Sequence, residues 1–257
     1  MDFTFLIVSF IINIIICFGI PIGTFIYLLL KKRQYLKSFL LGIVVFLVSQ
    51  IFLRIPLINK VLSQTDWFMM LPTLYPIIYS IFLGLSAGVF EEVGRFIGFR
   101  FGLKDKRTWT DGLVFGIGHG GIEALLISGV ACIQNLIALI SLSMGTYKDS
   151  ILGIDQTTAV GMYLSVSNLN VLTVGVERLL AIGIHIGLSI LVLYGLNQNK
   201  GRYKFLLIAI LIHTVIDAVV VILQQLGFGI VVIEVWCAIC SLFLIIYSIK
   251  SKKIFNN

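Results

Sequence analysis

The chain has 257 residues, of which 59% are hydrophobic and 12% charged, and its mean hydropathy is +1.06. A water-soluble domain needs a more polar surface, and the net charge of +7 lies in short clusters between apolar runs. This composition excludes a soluble enzyme and a nucleic-acid-binding protein. It predicts a single membrane domain over residues 1–257 that is surrounded by lipid.

Apolar runs long enough to cross a bilayer as helices recur along the whole chain. In chain order, seven are predicted near residues 3–30, 39–63, 71–103, 111–141, 171–196, 205–225 and 228–249. Pro21 is expected to kink the first run, and the loop at about 142–170 is expected to lie on the membrane surface or to cap the bundle. The predicted fold is therefore an all-α, polytopic transmembrane helix bundle, with its motif-bearing core at about 71–225.

Basic residues are concentrated in every second loop. They follow the first, third, fifth and seventh runs: Lys31, Lys32, Arg33, Lys37, Lys104, Lys106, Arg107, Lys200, Arg202, Lys204, Lys250, Lys252 and Lys253. The opposite loops hold only Lys60 and Lys148. This asymmetry predicts an N-terminus outside and a C-terminus in the cytoplasm. The usage of Ile, Lys and Asn is typical of an AT-rich bacterial genome, so we expect a multi-pass protein of a bacterial cell membrane.

Many ionisable residues nevertheless fall inside the predicted spans, including all three histidines of the chain. A charge at mid-membrane is unfavourable by about 2.5–3.5 kcal/mol, so these groups need partners and indicate a functional interior. Four of them are expected towards the outer half as structural ion pairs: Arg54, Glu177, Arg178 and Glu234. The others form the candidate site: Glu91, Glu92, Arg95, His119, Glu123, His185, His213 and Asp217.

Helical spacing predicts that the site residues converge. The pairs Glu91 and Arg95, His119 and Glu123, and His213 and Asp217 are each four residues apart, so each pair shares one helix face. A carboxylate beside a histidine can deprotonate water, and a second histidine can stabilise an oxyanion or protonate a leaving amine. The three histidines with Glu91 or Glu92 could equally bind zinc, although the chain has no HExxH motif.

The residues leave three functions open. The first is an intramembrane endopeptidase, of glutamate type or metal-dependent, that opens to the cytosolic side and acts on a membrane-embedded or membrane-proximal peptide. The second is a non-enzymatic membrane scaffold or a bacteriocin-immunity-type protein of the same fold. The third is a proton-coupled transporter, because a proton relay uses the same types of residue.

The ordered set of motifs resembles the type II CAAX prenyl protease superfamily, which includes the PrsW proteases and is related to the APH-1 subunit of γ-secretase. These motifs are two adjacent glutamates with a downstream arginine, then Phe115-x-x-x-His119, then His213-x-x-x-Asp217. Within the superfamily, the sequence His119-Gly-Gly-Ile-Glu123 and the Glu177-Arg178 pair before His185 look most like the YhfC family of intramembrane peptidases.

The resemblance implies a CAAX-protease-like core and a role for each motif. Glu91 or Glu92 would activate water with His119, Arg95 would orient the glutamates, and His213 with Asp217 would stabilise the intermediate. Because of two departures from the prenyl proteases, the resemblance does not imply that this protein shares their prenylated substrate. Only two residues separate the glutamate pair from Arg95, and Asp217 stands where those enzymes have asparagine, although an ionised aspartate would repel an oxyanion.

Overall fold

The computed structural model describes residues 3–104, 107–198 and 201–255, and in these ranges the chain forms helices and no β-strand. Seven helices are long and apolar enough to cross a membrane, which confirms the predicted fold class. They are α1 (Thr4–Lys31), α2 (Arg33–Gln64), α4 (Pro76–Gly102), α5 (Trp109–Ser143), α7 (Asn168–Asn197), α8 (Arg202–Gln225) and α9 (Ile230–Phe255). Two shorter helices connect them, α3 (Asp66–Leu74) and α6 (Gln156–Ser165).

Two boundaries differ from the prediction for local reasons. The third run, predicted over 71–103, is divided at Tyr75 into α3 and α4, because Pro76 disfavours helical backbone at the residue before it and starts a new helix well. The last helix continues past residue 249 to Phe255. Its basic end is held by Trp109, whose Nε1 donates to the Ser248 carbonyl at 2.8 Å and whose ring lies 5.1 Å from the Lys252 ammonium.

The predicted loop at about 142–170 contains α6, which covers one end of the bundle. The Asp155 side chain caps this helix by accepting a hydrogen bond from the Thr158 backbone N–H at 3.0 Å. Ala159 and Tyr163 are buried, and the Tyr163 ring lies 6.2 Å from the ring of Phe3 at the start of α1. This packing agrees with the predicted cap, and the position of α6 relative to the membrane surface stays a prediction. Lys106 and Lys200, which contribute to the predicted orientation, lie outside the described residues, and the orientation stays a prediction.

Helix α7 is the central element of the bundle. In the most apolar 18-residue stretch of α7, 72% of the residues are buried inside the protein. In the corresponding stretches of the other six spans the share is 22% to 33%. Small residues allow its neighbours to approach closely: a Cβ at Gly116 of α5 would lie 2.5 Å from the Ile186 Cα, and one at Gly187 would lie 2.4 Å from the Leu244 Cβ of α9. Side chains of α7 can therefore reach those of several other spans.

A close contact between α2 and α5 offers a test of this packing. A Cβ at Gly42 would lie 2.2 Å from the Phe115 carbonyl oxygen, one turn before His119. We expect Gly42→Ala to destabilise the protein by about 1–3 kcal/mol, because α2 must move away from α5. The control is Gly23→Ala in α1, where nothing lies within 4 Å of the new methyl group. Equal thermal unfolding midpoints for the two variants in detergent would contradict the contact.

Candidate active site

The structure brings all eight predicted site residues into one connected cluster of polar side chains. They come from four spans: Glu91, Glu92 and Arg95 from α4, His119 and Glu123 from α5, His185 from α7, and His213 and Asp217 from α8. Six of the eight residues are buried, and the exceptions are Glu123 and Asp217. The convergence expected from the unfavourable burial of charge in lipid is therefore observed.

Glu91 lies at the centre of the cluster. Its Oε2 atom is 2.9 Å from His119 Nε2, 3.8 Å from His185 Nδ1 and 3.9 Å from His213 Nε2. Its other carboxylate oxygen accepts a hydrogen bond from the Gln50 side chain of α2. One carboxylate thus faces all three imidazoles of the protein.

Glu92 and Arg95 form an ion pair behind this centre. The Arg95 guanidinium bonds both oxygens of Glu92, and a second nitrogen of Arg95 lies 3.0 Å from His185 Nδ1. The predicted shared face of Glu91 and Arg95 does not lead to a contact, because Arg95 pairs three residues back rather than four. The Glu92 and Arg95 side chains are 0% exposed, and only Glu91 of the two glutamates lines the cavity described below.

A second chain of ion pairs fixes His185. Its Nε2 atom lies 2.7 Å from Glu123 Oε2, and the other oxygen of Glu123 accepts a hydrogen bond from Arg178 at 2.9 Å. Arg178 also pairs with Glu177. The predicted ion pair of Glu177 and Arg178 is therefore present, and it is continuous with the site through Glu123.

The other two residues predicted to form ion pairs do not. Among the described residues, no carboxylate lies within 4.0 Å of the Arg54 nitrogens, and no cation lies that close to Glu234. Arg54 instead donates to neutral acceptors, and Glu234 Oε2 is buried without a hydrogen bond in the described chain. In the described chain, opposite charges reach these two positions only from beyond 4.0 Å: Glu91 and Asp217 act on Arg54, and Arg178 acts on Glu234.

His213 and Asp217 present polar groups to the cavity. His213 Nδ1 lies 2.7 Å from Glu92 Oε1, and its Nε2 lies 3.5 Å from Asp217 Oδ2. The Asp217 side chain is 40% exposed, so it is the most accessible acid of the eight-residue cluster. The imidazole is thus held on one side by Glu92 and faces the cavity with the other.

A cavity of about 250 Å³ adjoins the cluster. Its lining includes five site residues, namely Glu91, Glu123, His185, His213 and Asp217, together with Arg54, Glu177 and Arg178. The other lining positions, such as Leu83 of α4 and Val221 of α8, lie on the side of the site towards the start of α4 and the end of α8. With the predicted orientation this side faces away from the cytosol, so the cavity does not match the expected cytosolic opening.

Gln50 is a site residue that the sequence did not reveal. It is buried in a π-helical segment of α2, Leu47–Arg54, and contacts Glu91 and Arg54 from there. The available signal was a glutamine within an apolar run, four residues before Arg54. Segments of π-helix occur often at functional sites.

Three side chains of the cluster fit a metal ion. One ligand atom each from Glu91, His119 and His185 lie within 4.8 Å of one another. His185 has the second partner that metal-binding histidines usually have, because Glu123 holds Nε2 while Nδ1 lies towards Glu91. His119 Nδ1 has no hydrogen-bond partner in the described chain, so the ring makes its polar contact through Nε2, beside Glu91. Since Arg95 lies 3.0 Å from His185 Nδ1, it competes with a metal for that nitrogen.

His213 was part of the predicted ligand set and is not in this group of three. Its Nδ1 is taken by Glu92, and its Nε2 is 3.9 Å from Glu91. Glu91 rather than Glu92 provides the carboxylate. The donor set of two histidines and one glutamate matches a common type of catalytic zinc site.

The fold and the site define a multi-pass membrane protein with a buried carboxylate–histidine cluster suited to a metal such as zinc. Residues 16–237 match the family described as YhfC intramembrane metalloprotease, and the chain belongs to this family. It is 32% identical over 249 residues to "Uncharacterized membrane protein YhfC" of Bacillus subtilis (strain 168), with 94% of each chain covered. No solved structure matches the chain. The predicted YhfC resemblance is confirmed, and the wider link to the CAAX prenyl proteases stays a prediction.

Proposed function

We propose that the protein is an intramembrane metalloprotease that hydrolyses a peptide bond at Glu91, His119 and His185. The observation that carries this proposal is the set of three ligand atoms within 4.8 Å of one another, in a bundle of membrane spans and next to a cavity. The family description supports the reaction class. The substrate would be a membrane-embedded or membrane-proximal peptide whose scissile bond enters the cavity.

Glu91, His119 and His185 would hold the metal, and each is fixed by a neighbour. Gln50 donates to the Glu91 carboxylate, and Glu123 holds the His185 ring. The His119 ring lies edge-on to Phe46, with the ring centroids 5.4 Å apart. A bound zinc ion supplies Lewis-acid polarisation of a carbonyl and activation of water. The fixed side chains keep the ligand atoms in place, which lowers the reorganisation that the reaction requires.

His213 would act on the substrate next to Glu91, since its Nε2 lies 3.9 Å from the same Glu91 oxygen that faces His119 and His185. Glu92 holds its Nδ1, so Nε2 faces the cavity between Glu91 and Asp217. Because Nδ1–H donates to the Glu92 carboxylate, the ring can donate from Nε2 only as an imidazolium. In that form it could give a proton to a leaving amine or a hydrogen bond to a developing oxyanion. Arg95 would act indirectly, since it binds Glu92 and reaches the cavity only through other side chains.

Metal removal tests the proposal. We expect protein purified in detergent to contain about one zinc ion per chain and to hydrolyse members of a pool of fluorogenic hydrophobic peptides. Chelation should abolish the hydrolysis, and added zinc should restore it. His119→Ala should lower the affinity for zinc at least tenfold, measured by titrating zinc into the metal-free protein. The control is Cys237→Ala, which removes a potential ligand that lines the cavity outside the cluster.

The other outcomes separate the alternatives. Hydrolysis that survives chelation would contradict the metal and support a glutamate-type protease. Protein without metal and without hydrolysis would support a scaffold. Solute flux in proteoliposomes that depends on a pH gradient would support a transporter.

A further inference from the structure

Three arginines lie within the spans near the site, and one of them has no ion pair. Arg95 binds Glu92, and Arg178 binds Glu123 and Glu177. Arg54 makes three hydrogen bonds to neutral acceptors: Nε to Ser86 Oγ at 2.9 Å, one terminal nitrogen to Gln50 Oε1 at 3.1 Å, and the other to the Leu83 carbonyl at 2.8 Å. In the described parts of the chain, its nitrogens have no carboxylate within 4.0 Å.

A half-buried guanidinium inside a membrane span is unfavourable without a neighbouring negative charge. The three acceptors fix its orientation, and the five N–H groups of a guanidinium leave two for a further ligand. Arg54 also lines the cavity that contains Glu91, His185 and His213. The free N–H groups of Arg54 are therefore at a place where an anionic ligand of the cavity could bind them. Glu91 and Asp217, which line the same cavity, act on the guanidinium only from beyond 4.0 Å, so a ligand carboxylate would supply the direct contact that they do not make.

Gln50 connects Arg54 directly to the candidate centre. Its side-chain carbonyl accepts from Arg54, and its side-chain N–H₂ donates to Glu91. One amide and two hydrogen bonds place the guanidinium at most about 8 Å from the Glu91 carboxylate. That distance corresponds to about two residues of extended peptide.

We propose that Arg54 is an anion-binding subsite that recognises a carboxylate of the substrate close to the bond that is cleaved. A carboxylate matches the planar guanidinium and neutralises its charge. It could be the free C-terminus of a peptide or an acidic side chain. Cleavage near this carboxylate rests on the proposed protease function, whereas carboxylate binding at Arg54 does not. A cavity of about 250 Å³ favours a short peptide segment over a whole lipid.

Two pairs of peptides test the subsite by binding to intact protein in detergent. In the first pair, an N-acetylated hydrophobic pentapeptide carries either a free C-terminal carboxylate or a carboxamide. In the second pair both peptides are amidated, and the middle residue is aspartate or asparagine. We expect the protein to bind the acidic member of at least one pair about tenfold more tightly, and that pair identifies the source of the carboxylate.

Arg54→Gln should remove this preference, and Arg54→Lys should retain part of it. The matched control is Lys60→Gln, which removes an exposed positive charge from the same span, outside the cavity lining, and should leave the preference unchanged. Equal binding within both pairs by the wild type would overturn the proposal without any variant. A preference that persists in Arg54→Gln would also overturn it.

Two further measurements distinguish a peptide carboxylate from a lipid phosphate at Arg54, and binding from cleavage. If Arg54→Gln weakens binding to phosphatidylglycerol nanodiscs but not to the peptides, the site recognises a lipid phosphate and the proposal fails. If acidic peptides bind preferentially but are not hydrolysed, the subsite stands and the protease function fails. If acidic and neutral peptides bind equally and both are hydrolysed, the protease function stands and the anion-binding subsite fails.

Discussion

Glu91→Gln is expected to lower peptide hydrolysis by about 10²–10⁴-fold, whether Glu91 binds metal or accepts a proton from water. Gln50 donates to one oxygen of this carboxylate, and His119 lies 2.9 Å from the other. The amide has nearly the same shape but lacks the charge and the basicity. Hydrolysis of the fluorogenic peptides by purified protein measures the effect. Metal content measured on the same sample distinguishes a ligand, whose loss releases the metal, from a base.

The matched control for this substitution is Glu234→Gln. It makes the same chemical change inside another span, at a carboxylate that does not line the cavity. We expect its hydrolysis to stay within about twofold of the wild type. An active Glu91→Gln protein beside an inactive Glu92→Gln protein would contradict the assignment of Glu91 to the reacting position.

Arg95→Met is expected to reduce the free energy of unfolding by about 3–5 kcal/mol, because it leaves the carboxylate of Glu92 buried without its cation. Both side chains are 0% exposed, so water cannot replace the lost partner. Thermal unfolding in detergent, followed by circular dichroism, measures the loss. The variant should also lose hydrolysis, since Glu92 holds His213.

A double variant separates the ion pair from simple loss of volume. Glu92→Gln combined with Arg95→Met removes both charges, so we expect it to recover at least half of the lost stability. Arg33→Met is the control, because this exposed arginine donates only to the backbone carbonyl of Leu29 at the end of α1, and its loss should change stability by less than about 0.5 kcal/mol. Equal destabilisation in the single and double variants would contradict the role given to the ion pair.

Hydropathy and charge predicted the class of fold and the members of the buried polar cluster. The apolar runs are long, so the seven spans were visible in the sequence even where the ends differed by several residues. Acids and imidazoles within such runs are unfavourable in contact with lipid, so they are expected to face the interior of the bundle. For this reason the eight residues could be predicted as one group. Helical spacing predicted the contact between His213 and Asp217 but not the partner of Arg95, which pairs three residues back with Glu92, because positions three and four residues apart are both neighbours on a helix. Arg95 and Glu92 also contact His185 of α7 and His213 of α8, and the sequence of α4 alone does not reveal these partners.

Neutral and uncompensated groups were harder to predict. Gln50 carries no charge, so its burial in a span is less unfavourable than that of a carboxylate. Its position within an apolar run therefore did not identify it as a site residue. Arg54 was expected to have a partner because charges in lipid usually do, and its neutral acceptors Ser86 and Leu83 come from α4. The direction of the cavity follows from how six spans pack, which no local pattern records.

The ion pair within α4 also bears on how the chain enters the bilayer during synthesis. Glu92 and Arg95 are one turn apart on the same helix, so this segment can leave the translocon with these two charges already neutralised. Glu91 meets Gln50, which the ribosome has made earlier. Glu123 has no partner until α7 has been synthesised, because Arg178 and His185 both belong to that later span. We therefore expect the stable insertion of α5 into the membrane to depend on the insertion of α7.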